Sequence, residues 1–156
     1  MIKYRNATLD DVENIKKLSV ELCEWESSEF DNKYNWLNPS TEEWIEIIKN
    51  SIKSDVYLVL IAEKNNKPIW FVLWWISKPA FYWNFDKLSE LHKLYVKEEY
   101  RWEWIWDKLM EEFMKFSKEN HVDRIEIFTF FDNDVNKFYE KYWFEKKALF
   151  LRKDLK

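Results

Sequence analysis

Not one of the 156 residues is a glycine, and eleven are tryptophan. Glycine reaches positive φ and lets backbones approach closely without steric cost. A chain that lacks it must build tight turns, helix caps and anion-binding loops from asparagine or from strained positions. Ordinary usage of about 7% would place about eleven glycines in this length, and their complete absence by chance has a probability on the order of 1 in 100,000. Most of the tryptophans are therefore read as standing at glycine positions. A UGA codon that the host decodes as glycine, translated by a table that decodes it as tryptophan, would leave this trace. A deliberate glycine-to-tryptophan redesign would leave the same one. Trp44 and one of Trp74 or Trp75 are the exceptions, because their surroundings suit an aromatic side chain equally well.

The length fits one domain over residues 1–156, since domains most often run to about 100–150 residues. Hydrophobic residues make up 47% and charged residues 35%, which gives a real core under a solvated surface and argues against disorder. A net charge of −4 leaves no electrostatic footprint for a phosphate backbone, so nucleic acid is not expected as a partner. No apolar run approaches the roughly 18–20 residues that span a bilayer. Met1-Ile2-Lys3-Tyr4-Arg5 also lacks the apolar region of a secretory leader, so the expected setting is cytoplasmic with no membrane partner. Cys23 is the single cysteine and only His92 and His121 accompany it, so neither a disulfide framework nor a metal site is expected.

Alternating elements fill the chain without repeats or low-complexity tracts. Ile2 to Ala7 reads as a first strand. Thr8 with Asp11 resembles an acidic capping box and opens a helix through Val12, Ile15, Leu18, Val20 and Leu22. From Trp25 to Pro39 the chain reads as polar and broken. Ser40 with Glu43 then forms a second capping box ahead of Trp44, Ile45, Ile48 and Ile52. Val56 to Ala62 and Ile69 to Ile76 make a hairpin around Asn65-Asn66, since asparagine tolerates positive φ. Glu90 to Val96 is the next strand. Leu109, Met110, Phe113, Met114 and Phe116 share one side of a helix ending near Asn120, a residue suited to a left-handed cap. Arg124 to Phe130 is a strand, Val135 to Tyr142 a short helix and Phe144 to Leu151 a last strand. The order β-α-α-β-β-β-α-β-α-β predicts a layered α/β fold with a mixed sheet.

The segment Arg101-Trp102-Glu103-Trp104-Ile105-Trp106 follows a strand and precedes the helix that opens with Asp107-Lys108-Leu109-Met110. With glycine at its tryptophan positions it reads G-E-G-I-G. A strand, a glycine-rich turn and a helix amino terminus in that order build an anion site that suits a pyrophosphate, because the turn's N–H groups and the helix dipole both point at the ligand. Dinucleotide and nucleotide binders share such loops. A Walker-type loop is missing here, because no Lys-Ser or Lys-Thr follows the turn, and the segment lies in mid-chain after several strands.

The same segment resembles the acyl-CoA signature of the GNAT superfamily of N-acetyltransferases: Arg or Gln, two residues, glycine, any residue, then glycine or alanine. Arg101, Trp104 and Trp106 occupy those positions. Leu94-Tyr95-Val96 and Glu98-Glu99-Tyr100 look like the family's lead-in. Asn133, Phe138-Tyr139-Glu140-Lys141-Tyr142 and Trp143-Phe144 resemble a second family block that closes on Gly-Phe. With the opening Thr8-Leu9-Asp10-Asp11-Val12, the resemblance covers nearly the whole chain and is weakest between Trp25 and Lys53.

This resemblance implies the acyl-CoA N-acyltransferase fold, a mixed, mostly antiparallel six- to seven-stranded sheet flanked by about four helices. Acetyl-CoA would be the co-substrate, lying where the fourth and fifth strands splay apart. Leu94, Tyr95 and Val96 would pair with its pantetheine arm. The backbone from Arg101 through Trp102, Glu103, Trp104, Ile105 and Trp106 to Asp107 would hold its pyrophosphate, and Asn133 would contact the cofactor arm. An indole at 102, 104 or 106 would obstruct those amides.

An attacking amine must be neutral, so a base is needed. Glu90 and His92 are the candidates, since alternate strand residues share a face. Their plain readings are a solvent-exposed glutamate and a half-buried strand histidine. Tyr139 matches the family's acid position, where a phenol of pKa near 10 can donate to a departing thiolate. By spacing alone it is a core aromatic of an amphipathic helix. Glu21, Glu24, Glu26, Glu29 and Asp31 hint at a cationic amine, against the plainer reading of a solvated helix end and loop. Cys23 reads as packing, and direct transfer needs no acyl-carrying thiol. The expected reaction is acetyl transfer to a primary amine, a small cationic one. A protein amino terminus or lysine is the alternative acceptor, a catalytically silent CoA-binding module is the rival class, and family members often form homodimers.

Overall fold

Runs of β-branched and aromatic residues form the strands, and their alternation decides which helices cover each face. The computed structural model describes residues 2–30, 39–101, 105–129, 135–148, 151 and 153. In it β1 (Ile2–Asn6), β2 (Tyr57–Lys64), β3 (Lys67–Ser77), β4 (Leu88–Val96) and β5 (Arg124–Ile127) lie in that order across one sheet. All neighbours are antiparallel except the parallel β4–β5 pair. The β2–β3 hairpin turns through Asn65 and Asn66 at φ 54° and 59°, the conformation that asparagine adopts where glycine is absent.

One face is covered by α1 (Val12–Glu29) and α2 (Glu42–Ile52). Entry to α1 is fixed by Asp11, whose carboxylate accepts from the Thr8 backbone N–H at 2.7 Å and the Thr8 hydroxyl at 3.1 Å. Arg5 of β1 donates two further bonds to it at 2.7 and 2.8 Å. Asp11 is 3% exposed, so this forked contact offsets the cost of burying its charge and holds its carboxyl below the usual range. α1 runs on to Glu29, through residues whose sequence reads as polar and broken. Leu18, Leu22 and Trp25 keep a helical spacing toward the sheet, which carries the helix past that point. α2 is capped by Thr41 and not by Ser40, the Thr41 hydroxyl accepting from the Trp44 N–H at 3.4 Å.

The other face is covered by α3 (Ile105–Glu119) and α4 (Val135–Lys141). Both helices end in the same way. After α3 the left-handed residue is His121 at φ 54°, one position beyond Asn120; its N–H donates to the Lys118 carbonyl at 3.1 Å and that of Val122 to Ser117 at 3.0 Å. After α4 it is Trp143 at φ 66°, with its N–H on the Glu140 carbonyl at 3.0 Å and that of Phe144 on Tyr139 at 3.2 Å. These paired bonds are the Schellman cap, which ordinarily takes glycine at the left-handed position.

The sheet divides the interior into two clusters. Ile15, Ile48, Ile61 and Phe71 lie on the α1–α2 side, and Val72, Ile105, Leu109 and Phe113 on the α3 side, each at most 2% exposed. Burying each such side chain contributes about 1.5–3 kcal/mol. Five strands are present among the described residues, against the six or seven expected. Residues 144–148 form no strand, because Glu145, Lys146, Lys147 and Ala148 are exposed and offer no apolar alternation to lay against a sheet. β5 likewise stops at Ile127, and Phe128 beyond it is 67% exposed. Residues 149–150 lie outside the described residues, as does Phe130.

Candidate active site

Parallel pairing of β4 with β5 runs from Leu88↔Arg124 to Leu91↔Ile127, and among the described residues β4 continues from His92 to Val96 without a β5 partner. Its register with β3 slips at the same place. Leu73 faces Lys93 and Trp74 faces Leu91, which leaves His92 unmatched. The bulge turns the adjacent residues His92 and Lys93 to the same α1–α2 side, where His92 meets Trp44 of α2 and Lys93 meets Glu26 of α1.

Glu90 is half-buried. Its Oε2 accepts from the Trp75 indole N–H at 2.8 Å and from the Ser77 hydroxyl at 2.7 Å. His92 stacks on Trp75 with ring centres 4.3 Å apart and an interplanar angle of 28°. Burial first, and the charge of Lys93 second, push its pKa down to about 4, so the ring is neutral at pH 7 and a weak base. Behind it, the Lys93 ammonium lies 3.3 Å from Glu26, with side chains 7% and 16% exposed. Glu21 accepts from the Tyr95 hydroxyl at 3.1 Å and from Lys97 at 2.9 Å. Of the five acidic residues singled out in the sequence, Glu21 and Glu26 are therefore matched by cations, Glu24 and Glu29 are exposed, and Asp31 lies outside the described residues.

Tyr139 sits across the sheet from Glu90 and His92. It is 7% exposed, with ring centres 5.6 Å from Phe138 and 5.9 Å from Phe144, and burial pushes its phenol pKa well above the usual tyrosine range. The three residues expected to be catalytic are thus split two to one between the faces. Leu94 and Val96 belong to the α3 side and Tyr95 to the α1–α2 side, as alternation requires. Arg101 donates from Nε to the Val96 carbonyl at 3.3 Å, and its guanidinium lies 4.7 Å from the Trp25 ring centre. Ile105 is fully buried and anchors the start of α3. Trp106 leans on Phe138 at 5.6 Å. Asp107 accepts from Lys141 at 2.6 Å and from the Tyr142 hydroxyl. Burial first, and that bond second, push the Tyr142 phenol up to about 12.

A family model described as the acetyltransferase (GNAT) family matches residues 19–143. The chain belongs to the GNAT acetyltransferase family. Its reaction class is therefore acetyl transfer from acetyl-CoA. Comparison with curated proteins finds none that matches. Solved structures share the GNAT fold along the whole length. A mutant form of the BH1408 protein from Bacillus halodurans is 20% identical with a TM-score of 0.82, covering 98% of this chain and 99% of that one. Glucosamine-6-phosphate N-acetyltransferase from Arabidopsis thaliana is 19% identical with a TM-score of 0.73, covering 100% and 99%. A predicted acetyltransferase from Clostridium acetobutylicum, solved with acetyl-CoA, is 18% identical with a TM-score of 0.76, covering 99% and 97%.

Within the GNAT signature, Trp102, Glu103 and Trp104 lie outside the described residues, and so does Asn133 of the second block. Trp75 and Ser77, the partners of Glu90, belong to no motif in the sequence. Alternation places 75 and 77 on one face of β3, and a register pairing Trp75 with Glu90 brings them together. That register, with its slip one residue away, carries no mark in the sequence.

Proposed function

We propose that this GNAT protein transfers an acetyl group from acetyl-CoA to a primary amine, a small cationic one, by direct attack. The observation that carries the proposal is the departure of β4 from β5 at Leu91↔Ile127 with Glu90 and His92 at that point. Among the described residues, residues 92–96 of β4 have backbone groups without a strand neighbour on the β5 side, which fits the amide-rich arm of CoA. The first turn of α3 stands two elements further on, where its amides and dipole suit a pyrophosphate.

Acetyl-CoA supplies an acetyl thioester, whose C–S bond breaks as the amine's N–C bond forms. In this proposal Glu90 takes the amine's proton, directly or through water, with His92 as the second candidate. A backbone N–H near Leu94 or Tyr95 holds the oxyanion. Tyr139 is the proposed proton donor to the departing sulfur, a transfer that burial of its phenol opposes by raising its pKa. Leu94, Tyr95 and Val96 take the pantetheine arm, the backbone from Arg101 through Trp102, Glu103, Trp104, Ile105 and Trp106 to Asp107 takes the pyrophosphate, and Asn133 touches the arm. Once Lys97 and Lys93 match Glu21 and Glu26, the exposed Glu24 and Glu29 of α1 are the carboxylates left to meet a cationic acceptor. The proposed arrangement is a single catalytic domain over residues 1–156 acting in the cytoplasm. No helix among the described residues is long and apolar enough to cross a membrane.

Thiol release from acetyl-CoA across a panel of diamines, polyamines, amino sugars and lysine-bearing peptides tests the proposal. It is run on the chain as it stands and on a Trp104→Gly, Trp106→Gly form. The small cationic amines should give the fastest release. Release no faster than the amine-free background with every member, in both forms, would overturn the transferase assignment.

A further inference from the structure

Glu90 is held by two donors from the neighbouring strand, and both reach the same oxygen. The Trp75 Nε1–H and the Ser77 hydroxyl end on Oε2 at 2.8 and 2.7 Å, while Oε1 has no hydrogen-bond partner among the described residues. A carboxylate pinned through one oxygen cannot rotate freely, so the direction of its other oxygen is set by β3. Trp75 and Glu90 are direct partners in the β3–β4 register, and Ser77 lies two residues along on the same face. The Trp75 ring is itself fixed on two sides, stacking on His92 at 4.3 Å and meeting Tyr57 edge-on at 6.0 Å. An indole locked in this way presents its N–H in one direction.

Given the transferase activity proposed above, we infer that Trp75 and Ser77 are positioning residues that fix Glu90 through Oε2 and leave Oε1 as the atom that accepts the amine's proton. Trp75 also bridges the two candidate bases, since one ring donates to Glu90 and covers His92. Glu90 and His92 then act as a single assembly on the α1–α2 side, held from β3. The position requires a tryptophan in its own right. A glycine at 75 would remove both the donor and the plate over His92, and Glu90 would keep only the Ser77 bond.

The test is a set of variants in whichever form of the protein turns over in the amine panel. Trp75→Phe keeps a ring over His92 and removes only the donor, and Ser77→Ala removes the second donor. Each should lower kcat roughly 10- to 100-fold with KM for acetyl-CoA unchanged, as expected when a base is misplaced while cofactor binding is untouched. Ser77→Thr, which retains the hydroxyl, should restore the rate. The deciding measurement is the same pair of substitutions made on Glu90→Gln. If the donors act through the carboxylate, they cost little further once it is gone. Thermal melts of every variant show whether each one folds.

An equal loss with and without the Glu90 carboxylate would show a merely structural role and overturn the inference, as would an unchanged kcat in Trp75→Phe. An unchanged kcat in Glu90→Gln would instead remove Glu90 as the base, leaving the transferase assignment standing. Absence of turnover with any amine would overturn that assignment and this inference together. Glycine at position 75 in peptides of the protein isolated from its host would overturn the inference alone.

Discussion

Trp143 closes α4 in a conformation made for glycine, and its replacement should stabilise the protein. At φ 66° the side chain's Cβ crowds the following carbonyl, which costs a residue other than glycine about 1–2 kcal/mol. The indole is 92% exposed, so removing it forfeits no packing. Both cap bonds, Trp143 N–H to Glu140 and Phe144 N–H to Tyr139, are backbone bonds that survive the substitution. Glycine also loosens the unfolded chain, which takes back about 0.4–1 kcal/mol. Trp143→Gly should therefore gain about 1 kcal/mol, a rise in Tm of roughly 2–4 °C for a domain of this size. Trp143→Ala separates the cause, because it removes the indole and keeps the Cβ; its Tm should stay near that of the starting protein. The measurement is far-UV circular dichroism melts of the three proteins at pH 7. If the glycine form melts no higher than the alanine form, the Cβ at position 143 imposes no left-handed strain and the reasoning fails.

His92 is neutral in the folded protein at pH 7 and ordinary in the unfolded one. Between pH 6.5 and about 4 the unfolded state therefore binds a proton that the folded state refuses, and stability falls as pH drops through that window. The loss is on the order of 2–3 kcal/mol; urea melts at pH 7 and pH 4.5 should show a smaller difference for His92→Gln, and an equal difference would contradict the buried, neutral ring. Tyr139→Phe should lower turnover by about 100-fold while acetyl-CoA affinity by calorimetry stays the same. Unchanged turnover would remove Tyr139 from the acid role. Calorimetry with CoA should show at least about tenfold tighter binding for the Trp104→Gly, Trp106→Gly form than for the chain as it stands, and equal binding would mean that the indoles do not obstruct the phosphate-binding amides.

Much of the fold could be read from the sequence because hydrophobic period is a local property. The β2–β3 hairpin, α2, α3 and the strand at 88–96 lie where alternation and helical spacing put them, and Asn65-Asn66 turns as asparagine should. What could not be read depends on contacts between distant residues. α1 reaches Glu29 because Trp25 packs toward the sheet, although the Glu-Ser composition around it suggests a break. The left-handed cap after α3 falls on His121 because the last turn of the helix closes one residue later than Asn120 would imply. For the site, the sequence places Glu90 and His92 on one strand but is silent on the bulge that sets His92 beside Lys93 and on the donors that grip Glu90. The acidic stretch of α1 reads as an open cation site until Lys93 and Lys97, about seventy residues away in the chain, are seen to meet Glu26 and Glu21.

The tryptophans do not behave as one population, and within β3 their indole N–H groups sort them. A buried donor without a partner costs about 1–3 kcal/mol, so a natural tryptophan in a core normally has one. Trp70 and Trp74 of β3 are fully buried with Nε1 unpaired among the described residues. Trp74 also lies flat on Phe113 with ring centres 3.4 Å apart, well inside the roughly 4.5–7 Å that aromatic pairs prefer. A glycine there would let α3 approach the central strand, a common reason for glycine inside a sheet. Trp143 sits in the left-handed region. Trp75, by contrast, donates to Glu90, and Trp25 lies under the Arg101 guanidinium and 5.1 Å from Phe30. Of the pair 74 and 75, the genuine tryptophan is therefore expected at 75. Peptide mapping by mass spectrometry of the protein from its own host should find glycine at 70, 74 and 143 and tryptophan at 25 and 75. An intact mass matching all eleven tryptophans would refute the glycine origin outright, and glycine at 75 with tryptophan at 74 would show that a paired indole N–H is no guide to which tryptophans are native.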